Sequence, residues 1–229
     1  MANSSVFAPR SDNGPIPWIV AIGASGPGGV NDTKALLGAL PSTLSAAVMV
    51  VIHRSWDQQS YLRDFLAPAS TFPVVIVANG ERLQIGIVYI GEPSQHLTLA
   101  SNGIGELVND PSRHYGNRTI DLLFHSVAAH AGPRAIGVIL SGTLDDGSRG
   151  LIAMHEARGI TMVLTPSSSP EHDMPRNAID FGGPVDLIGS ITSIAQGISK
   201  ACGDQIPYSK REAKRAWMRQ MRGSASRSS

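Results

Sequence analysis

The chain has 229 residues, 42% of them hydrophobic and 16% charged, a balance that suits a globular protein and excludes a disordered one. Its longest unbroken apolar run, Ala46 to Ile52, is far too short to cross a bilayer, and the segment Met1 to Arg10 lacks the basic start and apolar core of a secretion signal. The net charge of +1 hides a division, because from Ser209 to Ser229 seven basic residues face Glu212 alone and the remainder is left at −5.

Residues 1–16, with Pro9, Gly14 and Pro15 among Asn, Ser and Asp, read as a loose arm. The apolar run Trp18 to Ile22 predicts a strand; Gly23 to Gly29 make a tight turn, and Val30 to Leu40 follow as a helix. A second strand is expected over Ala47 to Ile52, a helix over Ser60 to Leu66 and a strand over Val74 to Val77. Between Val88 and Asp110, short runs such as Val88-Tyr-Ile90 and His96-Leu-Thr-Leu99 read as an antiparallel excursion. Helices are then predicted over Thr119 to Ala131, Ser148 to Arg158 and Ser190 to Ala201, and strands over Ala135 to Leu140, Ile160 to Leu164 and Val185 to Ile188. Pro175 suits the first turn of a further short helix. Most strand candidates lack polar alternation, as strands covered on both faces do. The expected fold is α/β, a three-layer α/β/α doubly wound, mostly parallel sheet with one antiparallel hairpin excursion, over residues 17–204. Residues 205–229 form a basic tail in which Ala213, Ala216, Trp217 and Met221 keep helical spacing. That tail suits either packing on its own domain or docking to an acidic partner.

Ser25 falls in the turn after the first strand, where open α/β sheets place ligands and chemistry. His53 directly follows the second strand, and Asp146 lies in the loop after Ala135 to Leu140. A parallel sheet would set all three along its carboxyl edge. A serine hydroxyl needs a base to take its proton, and an imidazole base needs a carboxylate to fix its tautomer, so Ser25, His53 and Asp146 supply a triad. Gly23, Gly26 and Gly29 also fit a nucleotide-binding turn, with Arg54 near a ribose phosphate; against this, none of the tyrosines Tyr61, Tyr89, Tyr115 and Tyr208 has a lysine four positions on. His125 and His130 lie five apart on a helix and share no face, and His96, His155 and His172 lack ligand spacing, so no metal site is expected. His114 and Arg113 lie in the loop ahead of the Thr119 helix, where structural or solvated roles are expected ahead of lining a substrate cleft. Cys202 is the single cysteine, which rules out an internal disulfide and suits a cytoplasmic protein.

Ile22-Gly-Ala-Ser25, Val51-Ile-His53, Asn79-Gly-Glu-Arg82, Val88-Tyr-Ile90, Asp121-Leu-Leu-Phe-His-Ser126, Gly137-Val-Ile-Leu-Ser-Gly142, Asp146-Gly147 and Met174-Pro-Arg-Asn-Ala-Ile179 stand in one order over Trp18 to Ala201. In that order they resemble the catalytic domain of chemotaxis protein-glutamate methylesterases. The resemblance implies a serine hydrolase that demethylates γ-glutamyl methyl esters on chemoreceptor helices and can deamidate glutamines, without metal or cofactor. By position it makes Ser25 the nucleophile, His53 the base and Asp146 the orienting acid. Backbone N–H groups around Gly26, Gly28 and Gly29 would hold the oxyanion, with Arg118, Met174 and Arg176 as substrate contacts. No nucleic acid partner and no membrane insertion are expected.

Departures from the pattern are local. Ser25-Gly-Pro-Gly-Gly29 is one residue longer than the family's usual turn, and Pro27 has no N–H to give an oxyanion. Thr143-Leu144-Asp145 stands where the family usually has Met-Gly-Asn, and Asn117-Arg-Thr119 where it has Arg-Pro-Ser. Many members carry an N-terminal receiver domain; 17 residues precede the first strand here, so a site free of that control is expected. Two other readings stay open, a noncatalytic receptor-binding module and a hydrolase for a different ester.

Overall fold

The computed structural model describes residues 16–53, 61–112, 114–116, 118–167, 173–181 and 183–203. The basic tail with Trp217 and nearly all of the N-terminal arm lie outside the described residues, as do Arg54, Arg113 and His172.

In chain order the first elements are β1 (Trp18–Ser25), α1 (Gly26–Ala39), β2 (Ala46–His53), α2 (Leu62–Leu66), β3 (Val74–Ile76), β4 (Glu81–Arg82), β5 (Val88–Ile90), β6 (Gln95–Ala100) and β7 (Ile104–Asn109). They are followed by α3 (Thr119–Ala131), β8 (Ala135–Ile139), α4 (Ser148–Glu156), β9 (Ile160–Leu164), α5 (Met174–Asp180), β10 (Leu187–Gly189) and α6 (Ile191–Cys202). Seven of the strands form one parallel sheet in the order β10-β9-β8-β1-β2-β5-β3. β1 and β2 are each buried over seven consecutive residues, which a strand reaches only when helices cover both faces of its sheet.

Two apolar cores result. Leu36 and Leu37 of α1, Leu66 of α2 and Ile194 and Ile198 of α6 pack on one face of the sheet. Ile120, Leu123, Phe124 and Val127 of α3, Leu151 and Met154 of α4 and Met174 of α5 pack on the other. The small antiparallel sheet β4-β7-β6 adds Leu97 and Leu99 of β6 to this second core. Cys202 is buried at the end of α6, and burial pushes its thiol up to about 12.

The α/β/α class and the doubly wound sheet agree with the sequence. One strand does not. Val88–Ile90 was expected in the antiparallel excursion, but it lies in the main sheet, parallel to both β2 and β3. Its three residues are all buried, the mark of an interior strand, yet a run so short carries no periodicity to show it. The excursion is instead β6 and β7 with β4 as a third strand. The last strand is Leu187–Gly189 rather than Val185 to Ile188; just ahead of it Asp186 accepts the Thr161 N–H and hydroxyl, and its own N–H donates to the Thr161 carbonyl at 3.0 Å.

The chain runs outward from β1 to β2, then returns to place β8 on the opposite side of β1. The connections leaving β1 and β8 therefore pass to opposite faces, through α1 and α4. In an open α/β sheet the crevice between two such connections is where ligands bind.

Candidate active site

Ser25 ends β1 in this crevice. Its backbone is extended (φ −145, ψ 146), and its N–H donates to the Ser141 carbonyl at 3.0 Å, which ties the end of β1 to the loop after β8. The chain turns at Gly26, whose φ of +65 is open to glycine and strained for other residues. Pro27 enters the first turn of α1, where its missing N–H costs no intrahelical bond, so the helix begins at Gly26 rather than at Val30. Ser25 is the N-cap of α1, but its hydroxyl makes no capping bond and is left for other chemistry.

The wall facing Ser25 is Gly142. A Cβ there would lie 2.7 Å from Ser25 Cβ and 2.9 Å from Met174 Cε. The Met174 N–H donates to the Gly142 carbonyl at 3.0 Å and its side chain is fully buried. Met174 therefore supports this wall and offers no free donor to an oxyanion. In α1 the N-cap carbonyl accepts the first intrahelical bond from the residue four positions on, which is Gly29. Gly26 and Gly28 are left as the first-turn N–H groups without an intrahelical acceptor, since Pro27 has none.

His53 is the last residue of β2 and the register partner of Ser25 across the parallel ladder. It lines two cavities. One, of about 490 Å³, runs along Gly91 to Leu97 and Asn109 to Pro111. The other, of about 270 Å³, is shared with His114, Tyr115, Arg118, Thr143, Leu144, Asp145 and Asp146. Among the described residues no hydrogen bond joins Ser25, His53 and Asp146; such bonds are commonly long in free enzymes and tighten with substrate.

Asp146 is placed by α3, an element the sequence did not connect with it. Its two carboxylate oxygens accept the Ile120 and Asp121 N–H groups, each at 2.9 Å, in the first turn of that helix. Burial pushes its carboxyl up to about 7 against the pull of those donors, and the charge of Asp121 adds to the rise. The loop that delivers it is strained at Leu144, a half-exposed residue with a φ of +69, whose carbonyl accepts from Asn177 Nδ2 at 2.7 Å.

Arg118 is the N-cap residue of α3, and its guanidinium lies 3.5 Å from Asp121. Arg176 is exposed on α5 and is not among the residues that line the His53 cavities. His125 and His130 are exposed on α3, and no group of three or more His, Cys, Asp or Glu residues suited to a metal ion occurs among the described residues. His96 does have a partner, because its Nε2 lies 3.4 Å from Asp110. Burial pushes the Asp110 carboxyl up, but the Tyr115 and His114 N–H groups and His96 outweigh it and hold it below the usual carboxylate range.

The CheB methylesterase family model matches residues 20–198. The chain belongs to the CheB methylesterase family. It is 34% identical over 184 residues to protein-glutamate methylesterase/protein-glutamine glutaminase 1 of Cupriavidus pinatubonensis, covering 80% of this chain and 53% of that protein. It is 32% identical over 190 residues to the protein-glutamate methylesterase/protein-glutamine glutaminase of Salmonella typhimurium, covering 82% and 54%. The CheB methylesterase catalytic domain of Thermotoga maritima superposes with a TM-score of 0.69 at 27% identity, over 79% of this chain and 96% of that one. The chain thus spans about half the length of the curated CheB relatives it matches. Sequence reasoning did not single out Gly142, Asp121 or Arg149 of this CheB domain. The first two lay inside the matched segments Gly137 to Gly142 and Asp121 to Ser126, which was the one signal available.

Proposed function

We propose that this chain is a serine hydrolase of the protein-glutamate methylesterase type, acting on γ-glutamyl methyl esters, and on selected glutamines, of chemoreceptor cytoplasmic helices. The observation that supports this most is the Ser25 and His53 register pair at the carboxyl ends of β1 and β2, with Asp146 on the cavity that His53 lines. His53 takes the proton of the Ser25 hydroxyl as Oγ attacks the ester carbonyl. The Gly26 and Gly28 N–H groups stabilise the oxyanion, and Asp146 balances the imidazolium. Collapse breaks the ester C–O bond, and methanol leaves with the proton from His53. Water activated by His53 then attacks the acyl-enzyme and frees the glutamate side chain and Ser25. A glutamine substrate follows the same course with ammonia as the leaving group.

The proposed compartment is the cytoplasm, where receptor signalling helices lie; no described helix is long and apolar enough to cross a membrane. The basic tail is proposed to meet an acidic partner. One feature favours a second reading. Pro27 removes a donor from the first turn of α1, and a noncatalytic module would bind methylated receptor equally well with Ser25→Ala.

The test is release of labelled methanol from methylated receptor fragments by the wild-type protein and by Ser25→Ala. Release by wild type alone supports the reading. Equal release by both proteins overturns the mechanism, and no release from several receptors overturns the substrate assignment.

A further inference from the structure

The first turns of α3 and α4 exchange carboxylates. Asp146, just ahead of α4, accepts the Ile120 and Asp121 N–H groups of α3. Asp121 in turn sends its own carboxylate to the Gly150 N–H of α4, at 2.8 Å. Asp121 is almost fully buried, and its Oδ2 has no hydrogen bond partner among the described residues. That oxygen instead faces two guanidinium groups, Arg118 Nη1 at 3.5 Å and Arg149 Nη1 at 3.8 Å. Arg149 also donates to Asp145 Oδ2 at 2.9 Å and lies over the Phe181 ring, 4.8 Å from its centroid. A buried negative charge with one oxygen lacking a hydrogen bond, next to the proposed catalytic acid and faced on that side by cations near the surface, is a costly arrangement for packing alone.

We infer that Asp121 is a positioning residue for this site, locking the first turn of α4 to that of α3 and setting, with Arg118 and Arg149 around it, how much negative charge Asp146 keeps beside His53. This rests on the esterase reading above. The charged and titratable groups around Asp146 are Asp121 and Arg118 on α3, Arg149 on α4, Asp145 in its own loop, and His53 and His114 across the shared cavity. Asp121 is a like charge on a neighbouring turn, and it contributes to holding the Asp146 carboxyl near 7. The two arginines lie against Asp121 and partly offset its charge.

The test titrates the folded wild-type protein, Asp121→Asn, Arg149→Met and the double variant, following the Asp146 carboxyl carbon by NMR and hydrolysis of an activated ester over the same pH range. Asn keeps an oxygen for the Gly150 N–H while removing the charge. Asp121→Asn is expected to lower the Asp146 midpoint by about one pH unit, and the acid limb of kcat/KM should move with it. Arg149→Met is expected to raise the midpoint in both backgrounds, since removing a nearby cation disfavours the ionised carboxyl. A merely structural role would not move the midpoint in opposite directions. Unmoved midpoints, a rise with Asp121→Asn, or a fall with Arg149→Met would overturn the inference. Midpoints that move as expected in a protein that hydrolyses no ester would confirm the coupling and overturn the esterase reading instead.

Discussion

Ser25 and His53 are Cα partners at the last rung of an eight-residue parallel ladder between β1 and β2. Adjacent strands in a sheet lie about 4.8 Å apart, so neither residue needs a flexible loop to reach the other. The Ser25 hydroxyl caps no helix and makes no hydrogen bond among the described residues, so its loss should cost catalysis and little else. Ser25→Ala is expected to lower ester hydrolysis by at least about a thousandfold. Thermal unfolding should show a stability change of no more than about 0.5 kcal/mol.

In the proposed mechanism Asp146 gives the reaction its acid limb. Its carboxyl titrates near 7 in the folded protein, and only the ionised form balances the His53 imidazolium. Rates should therefore rise through about pH 7 and level off above it, as a kcat/KM profile would show. Stability runs the other way. A folded value above the unfolded 3.8 means that Asp146 contributes fully below about pH 4 and that the contribution fades as pH rises to about 7. Asp146→Asn should remove a pH dependence on the order of a few kcal/mol across that window, measured as the difference between the two melting curves at each pH, and should abolish activity.

Gly142 has no room for a side chain. The added methyl of Gly142→Ala would lie 2.7 Å from Ser25 Cβ and 2.9 Å from the Ser25 backbone N, so β1 itself must shift. Destabilisation of about 1–3 kcal/mol is expected from the overpacking. Because the displaced residue is the proposed nucleophile, kcat should fall by about a hundredfold. Melting and steady-state kinetics on one preparation check both figures.

Leu144 holds a positive φ in the loop that carries Asp146. Leu144→Gly should relieve about 1 kcal/mol of backbone strain. The same change frees the loop and removes an apolar side chain from the mouth of the His53 cavity. The expected outcome is a protein as stable as wild type or more so, with a higher KM and a lower kcat. A variant that gains activity together with stability would sink this assignment.

Much of the fold was legible because buried parallel strands are written as uninterrupted apolar runs. β1, β2, β8 and β9 fall where Trp18 to Ile22, Ala47 to Ile52, Ala135 to Leu140 and Ile160 to Leu164 indicated, and α3 covers Thr119–Ala131 as its spacing required. Val88–Ile90 was misplaced because three residues cannot display a period, and its neighbours in the sheet come from distant parts of the chain. α1 starts at Gly26, four residues ahead of Val30, since the Gly26-Pro-Gly-Gly29 stretch reads as turn while Pro27 suits a helix's first turn.

Local residue types were enough to put Ser25 and His53 at the carboxyl ends of strands, because hydrophobic run length and turn-forming residues act over a few positions. Which strand would lie beside which, that the Ser141-Gly142 loop would close on Ser25, and that α3 would hold Asp146 on its N–H groups were all set by contacts between residues far apart in the chain. The repulsion between Asp121 and Asp146 belongs to that second class, since burial and the distance between charges do not exist until the two helix ends meet.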